Sequence, residues 1–131
     1  MVVVLKIKMP DGSRIILHTT ESIYFIKIND ILYCKSNNSY TTFYTRDNES
    51  VVVSKNIKDC ENFLAGYGFI RPHQSYLVNL EHLQRIDKTN GFQLILTGNI
   101  SIPSSTRRKK ELFQILQKRL RFQDGLQQIQ I

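Results

Sequence analysis

Short apolar runs rich in β-branched residues, broken by turn-forming polar clusters, dominate the chain. "VVVLKIK", "RIILHT" and "IYFIK" open it, with "PDGS" as the first turn. "ILYCKS" and "YTTFYT" then flank Asn37, Asn38 and Ser39, residues suited to a tight turn, and so predict a hairpin with a polar tip. "RDNE" supplies the next turn and "SVVVS" the next strand. Helical spacing occurs twice. Behind Ser54 as N-cap, Ile57, Cys60 and Leu64 recur at helical intervals with Phe63 beside them, until Gly66 and Gly68 stop the run. Strands return in "GFIR", "YLVNL", "HLQRID", "FQLILT" and "ISIP", with Asn90-Gly91 as a hairpin signal. A last helix starts at Ser105 or Thr106 and runs to about Leu120, with Leu112, Ile115, Leu116 and Leu120 as its apolar stripe. No βαβ rhythm is visible. The pattern therefore predicts a mainly β, β-rich α+β fold of short antiparallel strands in small sheets, with one short internal helix and a C-terminal helix.

One interruption is unusual. In "FIRPHQSYLVNL", Arg71 to Ser75 place polar groups and a fixed proline φ between two apolar segments. His73 and Gln74 are thereby held on a stiff support. Gln matches the adenine edge and His or Arg the guanine acceptors, so this segment is equipped to read bases. The same groups also serve a turn by satisfying local backbone.

Length narrows the domain count: 131 residues suit one globular domain. No run reaches the roughly 18 apolar residues of a membrane span, and "MVVVLKIKMP" lacks the features of a secretory signal, so a soluble cytoplasmic protein is expected. Cys34 and Cys60 fit neither a disulfide framework nor a zinc site and read as reduced packing residues. Nothing calls for a cofactor or a metal.

Charge changes the picture more. Eighteen Lys and Arg against eleven Asp and Glu give +7, of which Arg107 to Arg121 carry +6 and the rest of the chain +1. Such a basic segment on a balanced domain points to a polyanion, most often nucleic acid and less often an anionic membrane surface, or else to a solvated helix face. The start, "PSSTRRKKEL", sharpens the question. Four cations at a helix N-terminus oppose the macrodipole, at about 0.3–1 kcal/mol each when exposed. A docked phosphate resolves that conflict, because the free N–H groups, the Ser104, Ser105 and Thr106 hydroxyls and the cations converge on one anion. Pairing with carboxylates elsewhere in the fold is the rival explanation.

Taken in order, "NDILYCKSNNSYTTFYT", "SKNIKDCENFLAGYGFIRPHQSYLVNLEHLQRI" and "ISIPSSTRRKKEL" resemble the LytTR DNA-binding domain, the effector of bacterial response regulators of the LytR/AlgR/AgrA type. The likeness runs from about Gly12 to Leu120, leaving residues 1–11 as an N-terminal strand or linker remnant and 121–131 as a tail. It implies antiparallel strands whose loops, rather than a recognition helix, enter the major groove. It also implies direct-repeat promoter sites, a monomer in solution paired on DNA, and an upstream receiver domain with a sensor kinase. Carried over by position, the base-contacting residues fall on Asn38 to Tyr40, on Gln74 and on Thr106. Tyr40 stands where a family member has His, Gln74 where it has Asn, and Thr106 where it has Arg. Arg107 or Arg108 is then the substitute for that Arg.

The expected base readers are Asn38, Tyr40, His73, Gln74 and Arg107. The expected phosphate contacts are Asn37, Ser39, Arg71, Ser75, Ser104, Ser105, Thr106, Arg108, Lys109 and Lys110. The expected function is sequence-specific binding of double-stranded DNA by a transcriptional regulator of the two-component type. An RNA- or single-strand-binding module stacking bases on Tyr40, Phe43 or Tyr44, or a protein-interaction module, is the alternative. No nucleophile elbow, metal-ligand spacing or Gly-rich phosphate loop supports an enzyme.

Overall fold

The structure is a computed structural model and describes residues 4–7 and 12–122, with side chains from 12 to 118. The first residues of the turn at Pro10–Ser13, the Leu120 side chain and most of the 121–131 tail lie outside the described residues.

Three antiparallel sheets carry the chain. The first joins β1 (Val4–Ile7), β2 (Arg14–His18) and β3 (Ile23–Lys27) as a meander. The second has five strands in the order β6-β5-β4-β8-β7: β4 (Ile31–Asn37), β5 (Tyr40–Thr45), β6 (Ser50–Val53), β7 (Phe69–His73) and β8 (Tyr76–Asn79). The third is the meander of β9 (Leu83–Asp87), β10 (Gln93–Leu96) and β11 (Ile100–Pro103). Helix α1 (Ile57–Phe63) links β6 to β7, and α2 (Thr106–Phe122) follows β11. The expected fold class is the observed one.

The five-stranded sheet lies between two apolar clusters. On one side Cys34, Phe43, Val51, Val53 and Leu77 pack with Ile15 and Leu17 of β2 and with Ile57, Cys60 and Leu64 of the α1 region. On the other, Ile70 and Val78 pack with Leu94, Leu96, Ile102 and Leu112. Leu77 and Val78, adjacent on β8, enter opposite clusters. That two-sided burial is why "YLV" reads as a continuous apolar run rather than an alternation.

Several boundaries differ from the sequence expectation. The cap of α1 is Asn56 and not Ser54, since the Asn56 Oδ1 accepts the Asp59 N–H at 2.8 Å. Asn90-Gly91 does join two paired strands, but inside the longer loop between Asp87 and Gln93, which are register partners; Gly91 has φ 71° there. Most consequentially, the polar knuckle is itself strand and tight turn. Arg71, Pro72 and His73 belong to β7, His73 pairs with Tyr76, and only Gln74 and Ser75 turn. Proline is tolerated because β7 is an edge strand with a register shift between Ile70 and His73, where a missing N–H breaks no regular ladder.

Both cysteines are free and buried. Burial, first of all, pushes the Cys34 thiol well above the ordinary 9.0 and the Cys60 thiol up to about 11. Both stay protonated at pH 8, so a colourless-to-coloured thiol reagent should leave the native protein unlabelled and titrate two thiols after unfolding. Because the folded values are raised, the associated stability is present below pH 9 and is lost as pH climbs towards about 11. Rapid labelling of native protein at pH 8 would contradict this placement.

Candidate nucleic-acid interface

Three segments meet at one end of the five-stranded sheet. The hairpin β4–β5 closes on the pair Asn37↔Tyr40, leaving Asn38 and Ser39 as its turn. Asn38 holds φ 57°, the left-handed region that Asn adopts with little penalty. The second turn, Gln74–Ser75, is level with β4, since the Ser36 N–H donates to the Ser75 carbonyl at 2.8 Å. At roughly 3.3 Å per residue the Asn38–Ser39 tip projects about 7–10 Å further. The third segment is the start of α2, fixed to β7 by the Ser105 N–H donating to the Pro72 carbonyl at 2.9 Å.

These anchors give the expected residues different surroundings. His73, Gln74, Ser105, Arg107 and Arg108 line one shallow cleft of about 160 Å³. That is below the roughly 300–1,000 Å³ of a small-molecule pocket, and suits the edge of a larger body. Asn37, Asn38, Ser39 and Tyr40 are all exposed, on the neighbouring hairpin and not in that cleft. Gln74, Thr106, Arg107, Lys109 and Lys110 are also exposed. The Ser75 N–H donates to His73 Nδ1 at 3.1 Å, and the ring meets Tyr76 edge-on at 5.6 Å. With Nδ1 accepting, the neutral imidazole carries its proton on Nε2 and offers a donor.

Other residues have partners that redirect them. Ser104 donates its hydroxyl to the Phe92 carbonyl at 2.6 Å, which removes the proton it would give a phosphate. Ser105 accepts the Arg108 N–H at 3.3 Å and so caps α2. Arg108 reaches back to the Arg71 carbonyl at 2.9 Å. Arg71 donates to Glu61 at 3.2 Å and to the Gln74 carbonyl at 2.7 Å, an internal arrangement in place of the expected open phosphate contact. Lys109 rests over the Phe92 ring at 4.7 Å. Among the described residues no carboxylate pairs with Arg107, Arg108, Lys109 or Lys110. The rival account of the cationic helix start finds no partner among them.

Two lysines that the sequence reading did not name, Lys35 and Lys55, also lie near this end of the sheet. Lys35 is exposed, pairs with Tyr76 in register and sits 5.8 Å from its ring centroid. The Lys55 carbonyl accepts the buried Thr41 hydroxyl at 2.7 Å, beside the Tyr40 end of β5. The signal for Lys35 was a cation at the parity opposite to buried Cys34 in "LYCKS"; for Lys55 there was none. Of the three aromatics the single-strand alternative relies on, Phe43 is fully buried, Tyr44 stacks on Tyr33 at 4.5 Å, and Tyr40 is exposed.

Comparison with known proteins identifies the fold and the family. The sensory transduction protein LytT of Oceanobacillus iheyensis is 28% identical over 116 residues, covering 86% of this chain and 47% of that protein. The transcriptional regulatory protein YpdB of Escherichia coli K12 is 32% identical over 109 residues, covering 81% and 44%. The chain thus spans slightly under half the length of these relatives. Among solved structures, the LytTr DNA-binding domain of a methyl-accepting/DNA response regulator from Bacillus cereus superimposes with TM-score 0.69 at 21% identity, over 79% of this chain and 95% of that one. The fold is shared. Residues 21–117 match the family model of the LytTr DNA-binding domain, and the chain belongs to that family.

Proposed function

We propose that this domain binds double-stranded DNA in a sequence-specific way, with the Gln74–Ser75 turn, the Asn38–Ser39 hairpin tip and the first turn of α2 entering the major groove. The observation that carries the reading is the shared cleft, where an amide, an imidazole and two guanidinium groups lie together, beside cations that pair with no carboxylate among the described residues. Gln74 presents the paired donor and acceptor that suit adenine, while His73 Nε2–H and Arg107 suit the acceptors of guanine. Asn38 and Tyr40 reach a neighbouring stretch of the groove from the projecting hairpin. Arg107 is the better substitute for the family Arg at Thr106, because Arg108 is held by the Arg71 carbonyl. Lys109 and Lys110, with Ser75, Ser105 and Thr106, contact phosphates and set the register, joined by Asn37 and Ser39 at the hairpin and by the newly identified Lys35.

The relatives are named a sensory transduction protein and a transcriptional regulatory protein. By that likeness the proposal extends to transcriptional regulation in the cytoplasm, within a two-component system that includes a receiver domain and a sensor kinase. The domain is a monomer in solution and pairs on direct-repeat sites. Among the described residues no helix is long and apolar enough to cross a membrane.

The test begins with selection from a random duplex library, which should enrich a short motif repeated at about one helical turn. On that site Gln74→Ala should cost about 1–3 kcal/mol, or about 5- to 150-fold in affinity, with little loss on random duplex. Equal losses on both would remove Gln74 from the readout. A tighter grip on single strands than on duplex would favour the RNA- or single-strand reading.

A further inference from the structure

Gln74 has an exposed side chain that makes no hydrogen bond of its own among the described residues. Its direction is therefore set by its backbone, which is closed within the turn by the Ser75 N–H on His73 Nδ1 at 3.1 Å and held from two sides. On the β4 side the Ser36 N–H holds the Ser75 carbonyl at 2.8 Å. On the β7 side the ladder is weak, because Pro72 donates nothing and the register shifts between Ile70 and His73. Arg71 fills that gap. Its Nη2 donates to the Gln74 carbonyl at 2.7 Å while its Nη1 donates to Glu61 Oε1 of α1 at 3.2 Å. The Arg71 carbonyl in turn accepts from Arg108 Nη1 at 2.9 Å, so one residue ties together α1, the turn and α2.

The geometry points to Arg71 as a positioning residue for sequence readout. Anchored on Glu61, it fixes the Gln74 carbonyl and so aims the Gln74 amide, without touching DNA itself. This rests on the assignment of Gln74 as a base reader. The charge arrangement favours it over a phosphate role, since the Arg71 side chain is only 14% exposed and its guanidinium is already paired with a carboxylate. A phosphate contact would have to break that pair. The planar guanidinium spans two acceptors at once, which the point-like ammonium of a lysine does not.

The experiment compares the full chain with Arg71→Lys, Arg71→Gln and Glu61→Gln, using two readouts. In the free proteins, amide exchange is followed at Ser36, whose N–H is bonded to the turn. On DNA, affinity for the selected site and for random duplex is followed across a salt series. All three variants should speed Ser36 exchange by about tenfold, the loss expected for a charge-assisted hydrogen bond. Each should also weaken the selected site by about tenfold. Random duplex should stay within about twofold and the salt slope should not change. Combining Glu61→Gln with Arg71→Gln should add little to either alone, because both act through one link.

If Arg71 is a phosphate contact, Arg71→Gln will weaken both duplexes equally and lower the salt slope by about 0.9, which overturns the proposal. Unchanged Ser36 exchange, or a loosened turn with full preference for the selected site, overturns it too. Should Arg71→Gln fail to fold, Glu61→Gln tests the same link at a partly exposed side chain. A wild-type protein with no preference for any sequence would instead defeat the base-reader assignment of Gln74, while Ser36 exchange would still report whether Arg71 holds the turn.

Discussion

Asn79→Ala is expected to lower the unfolding free energy by about 3–5 kcal/mol, the larger part of it from orphaned hydrogen-bonding groups and the rest from the lost volume. Asn79 closes β8 and is fully buried. Its Nδ2 donates to the Ile31 carbonyl at 2.9 Å and, at a longer 3.4 Å, to the Ile28 carbonyl, while its Oδ1 accepts the Glu81 N–H at 3.1 Å. One amide thus ties the short turn before β4 and the turn before β9 to the strand that supports Gln74. Truncation takes the amide away from the buried Ile31 carbonyl and the part-buried Glu81 N–H, while the Ile28 carbonyl keeps the Ile31 N–H. For a domain of this size, with total stability of about 5–15 kcal/mol, the loss is a large fraction of the whole. Urea unfolding of Asn79→Ala and Asn79→Leu checks the cause as well as the size. Leucine restores volume but no hydrogen bond, so it should remain nearly as destabilised as alanine. A leucine variant close to wild type would mean that the site needs bulk and not an amide.

That residue also shows where sequence reading reaches its limit. "YLVN" was legible as a strand, and the parity of β5 and the stripe of α1 were legible too, because side-chain period is a local property. An Asn in an apolar run announces a buried polar contact, but its partners lie at Ile28 and Ile31, far earlier in the chain. Pro72 misled for a related reason. Proline argues against a central strand and not against an edge strand, and strand order is a tertiary fact. The cap of α1 was misplaced within "SKN" because Ser54 and Asn56 are both good caps, and only geometry shows which one meets the Asp59 N–H. At the interface, the cationic start of α2 and the Gln74 turn were visible as composition. The internal use of Arg71 and Ser104 was not, since it depends on Glu61 and on the Phe92 carbonyl.

Neutralising Arg107, Lys109 and Lys110 together, each to Gln, should move stability and binding in opposite directions. All three are exposed, and none pairs with a carboxylate among the described residues. They stand in the first turns of α2, where a positive charge works against the helix dipole by about 0.3–1 kcal/mol. Removing them should leave stability unchanged or raise it by about 1 kcal/mol, even after loss of the Lys109 contact with Phe92, which is worth about 0.5–1 kcal/mol. Binding should fall steeply. If Lys109 and Lys110 each neutralise one phosphate, the slope of log affinity against log salt drops by about 1.8, and affinity near 0.15 M salt falls by about thirtyfold on any duplex. The selected site should lose more than random DNA, by the additional contribution of Arg107 to base recognition. Salt-dependent binding assays and thermal unfolding on the same preparation decide the matter. An unchanged salt slope would place DNA elsewhere on the molecule, whereas a clear loss of stability would show that these cations have carboxylate partners after all. Lower affinity, lower slope and undiminished stability together would identify the start of α2 as a surface whose charge serves the phosphate backbone and not the fold.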